Sequence, residues 1–204
     1  VGLYDDVVGG RPEQKAAKGF AGHLAALRQG RVTSGLVKIV GVGAAGVAAA
    51  ALLAADRPAP SGRGAGAAGR TADVILGAGV IAGTANLVNL LDLRPGRALK
   101  AGVLLGVPLL GGRHGGTAAG AVGAAAALLP VDLDERVMLG DSGANALGAV
   151  LGVALAGRTG WVGRAAILAA IGALTAASEK VSFTEVIQRT PGLRELDALG
   201  RHPT

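Results

Sequence analysis

The chain contains no cysteine, so it carries neither a disulfide framework nor a cysteine-ligated metal site. Its three histidines stand apart and make no zinc spacing. Aromatic residues are nearly missing, with one Trp, one Tyr and two Phe in 204 residues. A soluble core would lack its large fillers, and a nucleic-acid surface would lack its stacking platforms. Charge is scarce too, at 17% against about 25% in a typical soluble domain. The net charge of +6 is scattered between apolar runs rather than gathered on one patch, which argues against a nucleic-acid partner. The chain opens at Val1 on a polar segment without the pattern of a signal peptide. On this reading it is a fragment that lacks earlier spans.

What is present is small and apolar. Half the residues are hydrophobic, 36 are glycine, and the mean hydropathy is +0.49. Small residues let membrane helices approach closely; the competing reading is an alanine-rich soluble α/β domain. The uncharged stretches are Ile39–Ala55, Val74–Leu91, Ala101–Gly112, Gly115–Val131, Ser142–Gly157 and Ala165–Ser178. A straight span needs about 20 mostly apolar residues, and most of these runs reach it once flanking Lys and Arg stems snorkel. Ala101–Gly112 is short and could pair with Gly115–Val131 as a tight hairpin. Arg164 sits awkwardly beside the last run, although Trp161 suits an interface. The expected fold is all-α: a polytopic transmembrane helical bundle of about six spans. It forms a single membrane domain over 1–204, with a cytoplasmic basic segment 1–38, transmembrane helices 39–178 and a cytoplasmic C-terminal tail 179–204.

With six spans, residues 1–38, 92–100, 132–141 and 179–204 share one side. That side holds 14 of the 20 Lys and Arg, which makes it cytoplasmic. The acids were not used in that assignment, yet all of them except Asp56 and Asp73 fall on the same side. Function is therefore expected at the cytoplasmic face of a cell membrane. The segment Arg57–Arg70 reads as a flexible external connection. In Arg11–Arg31, Arg11, Lys15 and Lys18 have helical spacing. This segment either meets anionic lipid or a diphosphate, or is a solvated face.

One motif misleads. Gly41-Val-Gly43-Ala-Ala-Gly46 fits G-x-G-x-x-G after the strand-like Leu36–Val40. A dinucleotide fold would place a second strand with a terminal acid about 20 residues on. Here Asp56 comes early and is followed by a Pro- and Gly-rich stretch, so no βαβ unit closes.

Three polar clusters remain: Asp5-Asp6; Asn86-Leu-Val-Asn89-Leu-Leu-Asp92 at the end of an apolar run; and Gly140-Asp141-Ser-Gly-Ala-Asn145 at the start of another. On a helix, positions three apart turn by about 60°, so Asn86, Asn89 and Asp92 fit a 120° sector able to face a cavity. Asp141 and Asn145, four apart, share a face. A carboxylate within a membrane helix costs about 2.5–3.5 kcal/mol, and several converging carboxylates also repel. A bound cation relieves both. Oxygen ligands without cysteine favour Mg²⁺, with Mn²⁺ as the other candidate. Mg²⁺ commonly joins one or two carboxylates to a diphosphate, which makes phosphoryl transfer the matching chemistry. The plainer reading has each acid capping a helix or pairing with a loop arginine, and it is preferred for Asp134 and Glu135.

Gly-x-x-Asp5-Asp6, then Asn-x-x-Asn-x-x-Asp, then Met138-Leu-Gly-Asp141-Ser-Gly occur in one order. In this the chain resembles the polyprenyl-phosphate sugar-1-phosphate transferases, membrane enzymes of the glycosyltransferase family 4 type that include phospho-N-acetylmuramoyl-pentapeptide transferase. The resemblance covers about residues 1–155. It implies transfer of a sugar-1-phosphate from a UDP-sugar to undecaprenyl phosphate, with Mg²⁺, in cell-wall or envelope polysaccharide synthesis. It implies catalytic roles for Asp5 and Asp6, substrate-binding roles for Asn86, Asn89 and Asp92, and a metal-binding role for Asp141. It is also compatible with a homodimer or with partners from envelope synthesis. Three features depart from the family: Pro95 replaces its second middle-motif aspartate, Ala144 replaces a serine, and only His202 stands where it has a histidine-rich loop. These leave open a non-catalytic scaffold or regulator that keeps the fold. A small transporter is the third reading, but it lacks the matching broken helices of the two halves.

Overall fold

The computed structural model describes residues 19–30, 32–56 and 66–201, and within them it is helical throughout, with no strand. The helices are α1 (Gly19–Arg28), α2 (Ser34–Ala55), α3 (Ala67–Leu91), α4 (Arg97–Gly106), α5 (Gly115–Leu133), α6 (Gly140–Arg158), α7 (Trp161–Ser178), α8 (Phe183–Arg189) and α9 (Leu193–Ala198). Leu36–Val40 lies within α2, so the glycine motif has no strand before it. Thr33 caps α2, its hydroxyl accepting from the Leu36 N–H at 3.2 Å. The expected loop Arg57–Arg70 is shorter than drawn, because Ala67–Arg70 already belongs to α3.

Four helices, α2, α3, α5 and α7, are long and apolar enough to cross a membrane. In the apolar windows of α2 and α7 only 11% of residues are buried, and Ile39, Val40, Val47, Leu52, Ile75 and Leu174 are all exposed. Bare apolar helix faces of this extent are those of a membrane protein. Among the described residues four helices, rather than the six spans expected, meet that length and apolarity. Ala101–Gly112 forms the ten-residue α4 and a 3₁₀ turn at Val107–Leu109. Pro108 lacks the N–H an α-helix needs, and Gly112, at φ +85°, turns the chain back into α5. The fifth run, Ser142–Gly157, lies in the 19-residue α6, which begins on a polar turn and is sheltered rather than bare.

α3 and α6 form the centre. Gly148 and Gly152, one turn apart on α6, lie flat on α3. A Cβ added at Gly148 would stand 2.6 Å from the Ala85 Cα, and one at Gly152 would stand 2.8 Å from the Ile81 Cα. Only glycine permits this approach. Val88, Leu99, Ala144, Leu147 and Leu151 fill one part of the core, and Ala50, Leu53, Val80 and Ile81 another. α2 and α7 pack on other sides of α3, and α5 packs on α4.

Polar contacts gather at the two ends of this bundle. At one end Lys38 meets Asp141, and Asn89 meets Asn145. At the other, Asp56 meets Arg113, and Asp73 meets Arg164. Arg164, expected to sit awkwardly at a membrane edge, is instead buried, with 1% of its side chain exposed. It donates to the Ala156 carbonyl from Nε and Nη2, and to the Asp73 carbonyl from Nη1, and pairs with the Asp73 carboxylate at 2.8 Å. A buried guanidinium is tolerated when its donors are used in this way.

Candidate functional site at one end of the bundle

Asp141 stands in the first turn of α6, after Gly140 at φ +62°. A carboxylate is favoured there by the helix dipole. Lys38, in the second turn of α2, reaches it at 2.8 Å, and the two side chains are 16% and 27% exposed. One turn further along α6, the buried Asn145 amide donates to the Asp141 carbonyl at 2.6 Å and to Asn89 Oδ1 at 3.2 Å. The expected shared face of Asp141 and Asn145 is therefore present, and it carries Asn89 from α3 with it. Asn86 reaches a different neighbour, its amide lying 3.5 Å from the Thr175 hydroxyl on α7. Asp92 closes α3, and its N–H donates to the Asn89 carbonyl at 3.1 Å. Asp5, Asp6 and the basic stretch 11–18 lie outside the described residues.

The turn Asp92-Leu-Arg-Pro-Gly96 leads into α4. Gly96 adopts φ +73° as the N-cap, and its N–H donates to Asp132 Oδ2. The other Asp132 oxygen is buried without a hydrogen-bond partner. Next to Gly96, buried Arg97 binds Asp197 through two nitrogens, at 2.6 and 3.1 Å, and Thr184 at 2.8 Å. Gln188 and Arg201 also reach Asp197, at 3.1 and 3.4 Å. Lys100 donates to the carbonyls of Leu196, Asp197 and Leu199, closing the C-terminus of α9 as a cation should. Burial pushes the Asp197 carboxyl up. The hydrogen bond and charge of Arg97, with the charges of Arg201 and Lys100, outweigh that and hold it below the usual carboxylate range. Burial lowers Lys100, partly offset by Asp197 and reinforced by Arg201 and Arg97. Residues 179–201 are thus a docked helical pair rather than a loose tail.

Under α8 and α9 lies an apolar cavity of about 380 Å³. Leu87 and Leu91 of α3, Leu104 of α4, Leu174 of α7 and Phe183 and Ile187 of α8 line it, with Arg97, Lys100 and Asp197 at its polar edge. α3 therefore presents leucines to the cavity and Asn89 to the Asp141 cluster, two neighbouring surfaces of one helix end.

No family model matches this chain, and no curated protein or solved structure does either. Its chemistry is argued from geometry and motif alone. The cluster offers one carboxylate, two carboxamides and one ammonium group, a set that suits a phosphate ester and a hard cation. Among the described residues no three His, Asp or Glu side chains converge. Asp141 is the carboxylate of this cluster that could take part in holding such a cation. Sequence reading missed Lys38, which entered only as one charge in a count. Its signal was available: it is the single charged residue in the 22 of α2. Arg164 is likewise the single charge in α7. Arg97, Asp132 and Asp197 carried no such signal.

Proposed function

We propose that this chain is a membrane phosphosugar transferase, moving a sugar-1-phosphate from a UDP-sugar to undecaprenyl phosphate at the cytoplasmic face in envelope polysaccharide synthesis. The observation that carries this reading is the meeting of Lys38, Asn89, Asp141 and Asn145 at one end of an apolar bundle. These residues come from three helices, and two of the four, Asn89 and Asp141, lie in motifs singled out by the resemblance. In this reading the Asn145 amide ties the first turn of α6 to Asn89 on α3, and the Asn89 amide nitrogen is offered to the nucleotide. Lys38 neutralises Asp141 before substrate arrives and then turns its ammonium to the diphosphate. Mg²⁺, when bound, would supply charge neutralisation at the phosphates. The cavity beneath α8 and α9 suits the first isoprene units of the lipid, bringing its phosphate to the same helix end. Asp5 and Asp6 remain the catalytic pair implied by the motif.

A second reading is favoured by the Lys38–Asp141 pair itself. An aspartate already paired at 2.8 Å has no need of a metal, and Pro95 removes one expected carboxylate. On that reading the chain is a scaffold or regulator of envelope synthesis. The deciding assay is release of uridine monophosphate by the full chain in undecaprenyl phosphate, Mg²⁺ and a panel of UDP-sugars, beside Asp141→Asn and Lys38→Gln. Release that is lost in Asp141→Asn and weakened in Lys38→Gln supports the transferase. Folded protein that neither releases the nucleotide nor binds any donor overturns it in favour of the scaffold.

A further inference from the structure

The opposite end of the bundle carries a second polar cavity that the transferase reading does not use. It has a volume of about 190 Å³ and is lined by Leu109, Gly111, Arg113, His114 and Arg158, among others. His114 is the N-cap of the 19-residue α5, yet its side chain makes no capping bond. Its ring lies against Gly157, where any Cβ would collide with it, so the imidazole forms a wall of the cavity. Arg158 donates from Nη1 to the carbonyls of Pro108 and Gly111, at 2.9 and 3.0 Å. It pairs with no carboxylate among the described residues.

The charge at this end does not balance. At this end of the bundle the acids are Asp56, which follows α2, and Asp73, in the second turn of α3. Asp56 is taken by Arg113 at 3.2 Å and Asp73 by Arg164 at 2.8 Å. A cavity walled by arginine and imidazole, beside the positive end of a helix dipole, selects an anion. Its depth narrows the choice. α5 is one of the four long apolar helices, and the cavity lies at its first residue, where an apolar layer gives way to headgroups.

We propose that this cavity binds a phosphate group, with Arg158 as the principal cation and His114 as a hydrogen-bonding wall. The proposal is independent of the transferase reading, since none of these residues belongs to the Asp141 cluster. The test uses the full chain in an uncharged detergent, with phosphatidylglycerol and, separately, soluble glycerol 1-phosphate as probes. Binding is followed by native mass spectrometry. Arg158→Gln should weaken binding about tenfold or more, the usual effect of losing one charge-assisted hydrogen bond. His114→Gln serves as a second variant that leaves the carbonyl contacts of Arg158 in place, and it should weaken binding by a smaller factor. Arg70→Gln removes an exposed arginine at the same end outside the cavity and should leave binding unchanged. Full competition by glycerol 1-phosphate would assign the site to free phosphate esters, and binding of the lipid alone would assign it to a headgroup. Failure of both probes to bind, or equal weakening by Arg70→Gln and Arg158→Gln, overturns the proposal.

Discussion

Replacing Asp197 with alanine removes the carboxylate that holds α8 and α9 against the bundle. Arg97 would then keep a buried guanidinium, 5% exposed, with Thr184 as its remaining side-chain partner. Stripping one member from a buried ion pair costs about 3–5 kcal/mol. The loss is local. The apolar faces of α8 and α9 stand over a cavity rather than a packed core, so the helical pair can lift without unfolding α3 or α6. At about 1.4 kcal/mol per decade, the undocked population rises by roughly two to three and a half decades. Trypsin reads this directly, because Arg189 and Arg194 lie in the segment and cleavage tracks the open population when reclosing is fast. The expected result at neutral pH is cleavage at these sites accelerated by about a hundredfold or more. Glu195→Gln alters only exposed contacts, with Arg194 and with the Gly192 N–H, which an amide oxygen can still accept, and should be cut like the parent. The docked state binds the Asp197 proton more weakly than the free segment does. Docking is therefore fully supported above about pH 3.9, the ordinary aspartate value, and is lost as pH falls through the lower docked value. Amide exchange in α8 and α9, corrected for its intrinsic rate, should stay level from neutral pH to about pH 5 and rise only in stronger acid. Cleavage of Asp197→Ala at the parental rate would refute the account of the clasp.

Two further outcomes concern the bundle itself. Gly148→Ala drives a Cβ into the backbone of α3 and should lower thermal stability in detergent by about 1–3 kcal/mol, the range for overpacking; an unchanged melting temperature would contradict the close approach of α3 and α6. Asp132→Asn keeps an acceptor for the Gly96 N–H and should cost less than Asp132→Leu, which loses that acceptor at about 1–3 kcal/mol; equal melting losses for the two would contradict the role of this hydrogen bond.

The helical architecture was legible because uncharged runs translate directly into helices, and five of the six runs became helices of 18 residues or more. The short one, expected to pair with Gly115–Val131 as a tight hairpin, does turn back at Gly112 and pack on α5. The spacing of Gly148 and Gly152 announces a close helix contact, but not that Ile81 and Ala85 lie opposite. At the site, the four-residue spacing of Asp141 and Asn145 is a local fact, and it reappears as a hydrogen-bonded turn. The partners Lys38 and Asn89 are brought in by tertiary packing that no local pattern encodes. The same holds for Arg97 and Asp197, 100 residues apart, whose pairing docks the C-terminal helices on the bundle.

The sheltered position of α6 has a consequence for how the chain is made. Taken alone, α6 carries Asp141 and Asn145 near one end and Arg158 at the other, and it falls outside the set of helices apolar enough to enter a bilayer unaided. Its glycine face fits only α3, and its amide finds its acceptor on α3. Because α3 precedes it in the chain, a nascent α6 meets a partner that is already installed. A circular order of synthesis that produced α6 before α3 would leave a polar, glycine-rich helix with nothing to shelter it, so the order of these two segments along the gene is itself part of the folding instruction.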